Sequence, residues 1–279
     1  MKVVSITGPT GFIGSHLLKE INKENFKINL LSRKKIKINN KKNIYISFDL
    51  DNKYNNCFKK IGSPNVLIHL AWGGIPNYTS KYHLKEELKK QYIFLSSCIK
   101  NGLKNLIITG TCFEYGDING RLNESMIVKP KIAYAKAKHK LYNKLIKLKK
   151  RYNFNLVWAR VFYVYGENST HKTIYSELKE AINNNQKFFN MSPGDQIRDY
   201  IHISELIKIL ILFAKLHKDI GIINICSGKK LMLKNIVKDW IKKNKSLIKI
   251  NTGYYKYNSY EPKNIIGSTR KLNYFLKNK

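Results

Sequence analysis

Short apolar runs alternate with longer stretches of helical periodicity along the first 160 residues of the chain. Val3–Thr7, Phe26–Leu31, Ile44–Phe48, Val66–Leu70, Leu106–Thr109 and Leu156–Arg160 are bounded apolar runs of strand length, and each is predicted to be a strand. Between them, 12–24, 82–101 and 134–152 carry apolar residues every three to four positions and are predicted helices. Strands that alternate with helices favour a parallel sheet covered on both faces. The expected fold class is therefore α/β, a Rossmann-type doubly wound parallel sheet. Beyond Arg160 the alternation becomes irregular, with helices near 174–183, 204–215 and 234–243. That part is expected to supply a smaller C-terminal lobe over the substrate, interleaved with the first. One unit spanning residues 1–279 is expected, with a dinucleotide-binding core over about 1–165 and a lobe mainly over 166–279.

Composition narrows the class. No apolar run approaches the roughly 20 residues a membrane-spanning helix needs, so no membrane insertion is expected. The chain opens directly on a strand and a glycine loop, unlike a leader peptide. Its four cysteines (Cys57, Cys98, Cys112, Cys226) have no metal-ligand spacing and no Cys-x-x-Cys pair. A cytoplasmic protein without a metal is expected. The net charge of +34 is spread from end to end and forms no long basic arm. It is read as a compositional bias rather than a nucleic-acid surface, though its field would attract a diphosphate-bearing substrate.

Gly8-Pro9-Thr10-Gly11-Phe12-Ile13-Gly14 follows the first strand and opens a helix. Glycines there allow a tight turn and close approach to a pyrophosphate, which the helix N-terminus stabilises. Gly8, Thr10, Gly11, Phe12, Ile13 and Gly14 are thus candidate cofactor contacts. The end of the second strand, Leu30-Leu31-Ser32-Arg33-Lys34, lacks the acid that would accept a bond from the ribose of NAD. Ser32 and Arg33 suit a 2′-phosphate, which favours NADP(H) over NAD(H).

Tyr134 and Lys138 lie four residues apart on one predicted helix face. A neighbouring cation favours phenolate and is expected to lower the phenol's pKa, and the phenol can then exchange a proton with a sugar hydroxyl or ketone. Tyr175 and Lys179 have the same spacing. Only Tyr134 is preceded by a strand ending in a hydroxyl residue, Thr111, so Thr111, Tyr134 and Lys138 are the candidate catalytic group. Tyr175 is expected to be a packing residue.

Together these residues resemble the extended short-chain dehydrogenase/reductase family, which comprises nucleotide-sugar epimerases, dehydratases and reductases. The resemblance covers nearly the whole chain. It rests on the 7–14 glycine segment, Phe48-Asp49-Leu50, His69-Leu70-Ala71, Tyr134 with Lys138, the 160–166 segment Arg-Val-Phe-Tyr-Val-Tyr-Gly, and the 194–202 segment Gly-Asp-Gln-Ile-Arg-Asp-Tyr-Ile-His. By that resemblance Thr111 holds the substrate oxygen, Tyr134 is the acid/base and Lys138 also binds the nicotinamide ribose. Asp49, beside Leu50, accepts the adenine amino group, Ala71 (with Leu70) lies against the cofactor, and Arg198 clamps the substrate diphosphate. A planar guanidinium suits that task; the alternative for Arg198 is a surface ion pair with Asp195 or Asp199.

The departures are informative. Cys112-Phe113 stands where the 4,6-dehydratases carry Asp-Glu, which argues against dehydration. Tyr163 and Glu87 stand where many epimerases have Asn. Gly253-Tyr254-Tyr255, Tyr260-Glu261-Pro262 and the 110–116 segment resemble reductases of 4-keto-6-deoxyhexose nucleotides. The expected activity is NADPH-dependent reduction of such a ketone on a nucleotide-linked hexose. A nucleotide-sugar 4-epimerase holding NAD, and a non-catalytic NADP(H)-binding regulator, are the alternatives. The family's two-helix seams would allow a homodimer.

Overall fold

The computed structural model describes residues 1–38, 40–169, 172–257 and 261–277. In chain order its elements are β1 (Lys2–Thr7), α1 (Phe12–Ile21), β2 (Phe26–Ser32), β3 (Asn43–Ser47), α2 (Cys57–Lys60), β4 (Val66–His69), α3 (Leu88–Lys100), β5 (Asn105–Thr111), β6 (Gly120–Leu122), α4 (Ala133–Lys149), β7 (Asn155–Val161) and β8 (Tyr163–Tyr165). There follow α5 (Ile174–Asn183), β9 (Phe188–Met191), β10 (Ile197–Arg198), β11 (Tyr200–His202), α6 (Ile203–Leu216), β12 (Gly221–Ile225), β13 (Leu231–Met232), α7 (Leu233–Lys243), β14 (Lys249–Thr252), β15 (Ile265–Gly267) and α8 (Arg270–Lys277).

Seven strands form one sheet in the order β12-β7-β5-β4-β1-β2-β3, and every pairing in it is parallel. This is the expected doubly wound sheet. Its strands are apolar on both sides because both faces are covered. On one face Val4, Ile6, Ile28 and Ile68 pack with Leu17 and Ile21 of α1 and Leu206, Leu210 and Phe213 of α6. On the other, Leu67, Leu106, Ile108 and Trp158 pack with Phe94 and Leu95 of α3 and Leu141 and Leu145 of α4.

The strand order reverses at β1, whose neighbours are β2 and β4, and a crevice opens beyond the C-terminal ends of strands at such a point. A separate apolar cluster around Leu178, Phe189, Val237 and Trp240 forms the core of the lobe. Four short strand pairs, β6–β15, β8–β11, β9–β14 and β10–β13, lie outside the main sheet. The chain returns to the main sheet through α6 and β12 between visits to the lobe.

One helix differs from expectation. The 82–101 stretch begins as a wider π-helical turn over His83–Glu87 and continues as α3. Tyr134 begins the stripe of α4 completed by Leu141, Leu145 and Leu148, all buried. Tyr175 packs on Trp240 at 5.0 Å between ring centroids, within the lobe. Tyr260 lies outside the described residues.

Candidate active site

The glycine loop leaves β1 at Thr7. Gly8 adopts φ +67°, and a β-carbon on Gly14 would lie 2.1 Å from the Gly8 carbonyl oxygen. Gly14 is therefore required by the approach of α1 to the loop. Gly11 is not: a β-carbon there would meet only the Gly8 oxygen, at 3.5 Å. Its openness faces the helix end, where no side chain caps α1 and no acid occupies the first turn. Unpaired N–H groups and the positive end of the helix dipole remain for an anion. These residues fit a dinucleotide pyrophosphate.

Neighbouring strand ends supply the rest of this edge. Thr7 Oγ1 accepts from the N–H groups of Leu70 and Ala71 at 3.1 and 3.2 Å, so the β4 loop is tied to the glycine loop. Ser32 ends β2, half-buried, and Arg33 beyond it is exposed. Asp49 and Leu50 follow β3, and the Asp49 carboxylate accepts the Asp51 N–H at 3.1 Å.

Next to this edge lies a cleft of about 680 Å³ whose lining includes Phe12, Ile13, Leu70, Thr111, Tyr134, Lys138 and Arg198. The remaining predicted cofactor residues are not part of that lining; they continue at and beyond the C-terminal ends of β1, β2, β3 and β4. Thr111 ends β5 and caps the short turn over Cys112–Tyr115, its Oγ1 accepting from the Phe113 N–H at 3.3 Å. Glu114 completes the cap by accepting from the Thr111 N–H at 2.9 Å. The same buried carboxylate accepts from Trp158 Nε1 at 3.0 Å and pairs with Arg160 Nε at 3.1 Å.

Tyr134 is 8% exposed, with Trp72, Tyr78 and His83 packed around its ring at centroid distances of 5.8, 5.3 and 5.4 Å. Lys138 Nζ donates to the Thr109 carbonyl at 2.8 Å. It lies 3.9 Å from the Trp72 ring centroid and 5.7 Å from that of Tyr134. This geometry corrects one expectation. Lysine was expected to pull the phenol towards phenolate, but burial dominates and pushes the Tyr134 phenol up. Burial likewise takes the Lys138 ammonium down from 10.5 to about 7.

Arg198 is buried, and it pairs with neither Asp195 nor Asp199, the acids of the alternative surface ion pair. NH2 pairs with Glu261 at 2.8 Å, and NH1 donates to the Pro262 carbonyl at 2.8 Å. Asp199 instead accepts from the N–H groups of Ser227, Gly228 and Gly267. Asp195 accepts from the Tyr257 hydroxyl. Tyr163, on which the Arg198 guanidinium sits at 5.3 Å, donates to Glu261 at 3.2 Å.

Sequence reasoning overlooked Trp72, His83 and Gln91 as parts of this site. His83, Glu87 and Gln91 recur every four residues as polar positions on an otherwise apolar helix face, a signal present in the sequence. Glu261 stood in a reductase-like segment, but its pairing with Arg198, 63 residues away, had no local signal.

A parallel doubly wound sheet, a glycine loop opening a helix and a cleft at the reversal of strand order define a dinucleotide-binding α/β protein. The sequence model of the NAD dependent epimerase/dehydratase family matches residues 4–226, and the chain belongs to that family and is an NAD(P)-dependent oxidoreductase. The chain is 26% identical over 284 residues to dTDP-6-deoxy-L-talose 4-dehydrogenase (NAD(+)) of Aggregatibacter actinomycetemcomitans, covering 95% of this chain and 99% of that one. Its fold matches that of UDP-N-acetylglucosamine 4-epimerase from Methanobrevibacter ruminantium in complex with UDP-N-acetylmuramic acid. The TM-score is 0.85 at 23% identity, over 98% of this chain and 91% of the other. UDP-glucuronic acid 4-epimerase from Bacillus cereus, in complex with UDP-glucuronic acid and NAD, gives a TM-score of 0.85 at 20% identity, over 99% and 93%. Among the described residues no helix is long and apolar enough to cross a membrane.

Proposed function

We propose that the protein reduces the 4-ketone of a nucleotide-linked 4-keto-6-deoxyhexose. The observation that carries this reading is the burial of Tyr134 in the cleft, which keeps its phenol protonated. A protonated phenol is the form that gives a proton to the alkoxide growing at ring carbon 4. The nicotinamide, when bound, supplies the hydride. Thr111 orients the sugar oxygen, and its own place is set by the Glu114 cap. Lys138 holds the nicotinamide ribose and adds positive charge beside the developing oxyanion. Arg198 takes the diphosphate in the lobe. The chain's relative from A. actinomycetemcomitans is named for oxidation at position 4 of a 6-deoxyhexose on dTDP, the reverse of this reaction.

The end of β2 supports NADP(H), since Arg33 is exposed there and no acid stands beside Ser32. NAD-bound neighbours support NAD(H). Michaelis constants for NADPH and NADH decide between them, and a clear preference for NADH defeats the Arg33 assignment.

The similarity to solved 4-epimerases keeps one other reading in view, a 4-epimerase that oxidises and re-reduces the ring. A panel of nucleotide-linked 4-keto sugars separates the two. A reductase consumes one NAD(P)H per ketone, with falling absorbance at 340 nm. Isomerisation of a nucleotide hexose without added cofactor overturns the reductase reading.

A further inference from the structure

We propose that Trp72 is a positioning residue for Lys138: its indole face holds the ammonium beside Tyr134 in its charged form, and the polar stripe of the adjoining helix holds the indole. This rests on the assignment of Lys138 to the active site made above.

The contact is direct. Lys138, a buried side chain, has Nζ 3.9 Å from the Trp72 ring centroid, and its hydrogen bond among the described residues goes to the Thr109 carbonyl. A cation over an indole face is attracted by the ring quadrupole, most strongly where water is excluded. The other groups around the ammonium are accounted for. Its own helix presents the Tyr134 ring, with the phenol protonated. Glu87 and Glu114 act on it as negative charges from two other elements. His69, at the end of β4, is neutral because burial takes its imidazole down to about 3. Of the two rings beside the ammonium the indole is the nearer, at 3.9 Å against 5.7 Å for Tyr134.

Trp72 is itself fixed from three directions. Its Nε1–H donates to His83 Nδ1 at 3.2 Å, and His83 Nε2 donates in turn to the Asn77 carbonyl at 2.8 Å. On either side of it, Gln91 Nε2 donates to the Ala71 carbonyl at 3.0 Å and the Gly73 N–H donates to Glu87 Oε1 at 2.7 Å. Gln91 and Glu87 are also bonded to each other at 2.7 Å, and the Tyr82 hydroxyl donates to the remaining oxygen of Glu87 at 2.9 Å. Thus the indole, the residue before it and the residue after it are each held by one of His83, Glu87 and Gln91. The π-helical turn over His83–Glu87 lies where this stripe begins, and such turns recur at functional sites. A loop needed only for packing would not require buried charged and polar groups at all three positions.

The test reads the ammonium itself in cofactor-free protein. Heteronuclear NMR of lysine labelled with ¹³C and ¹⁵N follows each ammonium through a pH titration, and the Lys138 resonance is the one absent from Lys138→Met. In the wild type it titrates near pH 7. Trp72→Leu removes the quadrupole, so its midpoint falls by about one pH unit, and Trp72→Phe falls between the two. A midpoint unmoved in Trp72→Leu overturns the proposal; a purely structural role would lower the melting temperature and leave the midpoint in place. If Trp72→Leu does not fold, the Phe variant decides, since an unmoved midpoint there overturns it equally. Turnover of Lys138→Met separates this inference from the reading beneath it. Wild-type rates in that variant overturn the catalytic role of Lys138. An inactive Lys138→Met with an unmoved midpoint in the Trp72 variants overturns only the role of Trp72.

Discussion

The two ends of the cleft are built by different means. At the sheet edge, the side chains that would act on the sugar hang from regular secondary structure. Thr111 is held by Glu114 three residues on, and Tyr134 and Lys138 share one helix. At the lobe end, Arg198 depends on Glu261 and Pro262, and its guanidinium lies on Tyr163, three segments far apart in the chain. The first end is a rigid constellation on secondary structure. The second is an assembly of loops and two-residue strands, in which a carboxylate already occupies the cation that would receive a diphosphate. Chemistry placed at the first end and recognition at the second would explain why a common fold carries many nucleotide sugars.

Five substitutions sharpen or break this contrast. Tyr134→Phe should lower turnover about a thousandfold, the scale of a lost general acid. NAD(P)H affinity, read by fluorescence titration, should stay within about twofold, since the proposed role of the phenol is towards the sugar. Wild-type turnover would remove the sheet edge from the chemistry. Glu114→Ala should destabilise the protein by about 4 kcal/mol in urea unfolding, because it strands the buried Arg160 without its partner. A loss below about 1 kcal/mol would show that the cap under Thr111 is dispensable.

Lys138→Met should do the opposite, stabilising the fold by about 2 kcal/mol at pH 7. The sign follows from the folded ammonium titrating near 7 and the unfolded one near 10.5. Between those values the unfolded chain binds more protons, so wild-type stability rises with pH across that window. Below about pH 7 the full cost of the buried charge is present. The advantage of the Met variant should therefore shrink as the pH is raised towards 10, followed by melting temperature. An advantage independent of pH would show that the ammonium is not buried as described.

The smallest effects belong to the lobe. Arg198→Met should weaken binding of UDP or dTDP about tenfold by calorimetry and leave NAD(P)H binding unchanged. Glu261→Gln should strengthen it about threefold, since it keeps a bond to Arg198 and removes a competing charge. Weaker binding in Glu261→Gln would mean that the carboxylate orients Arg198 rather than competing for it.

Much of the sheet edge was legible because its signals are local. The strand–glycine–helix segment at 7–14 is contiguous, and the Tyr134–Lys138 spacing is one helical turn. The strands fell where the apolar runs did, with β5 extended to include Thr111. The pKa relation between Tyr134 and Lys138 was not legible, since spacing shows proximity and says nothing of burial. The partner of Arg198 escaped for another reason. Adjacent acids in the sequence, Asp195 and Asp199, were taken up by Tyr257 and by backbone N–H groups, and only the folded lobe brings Glu261 in.

The sequence alone determined the α/β class, because it follows from the alternation of strand and helix periods, and it marked out the glycine loop and the Tyr134–Lys138 pair as candidates through short spacings. Tertiary structure decided the protonation states, the cover over Lys138 and the partner of Arg198. Those depend on desolvation and on contacts between distant segments, which no local pattern specifies.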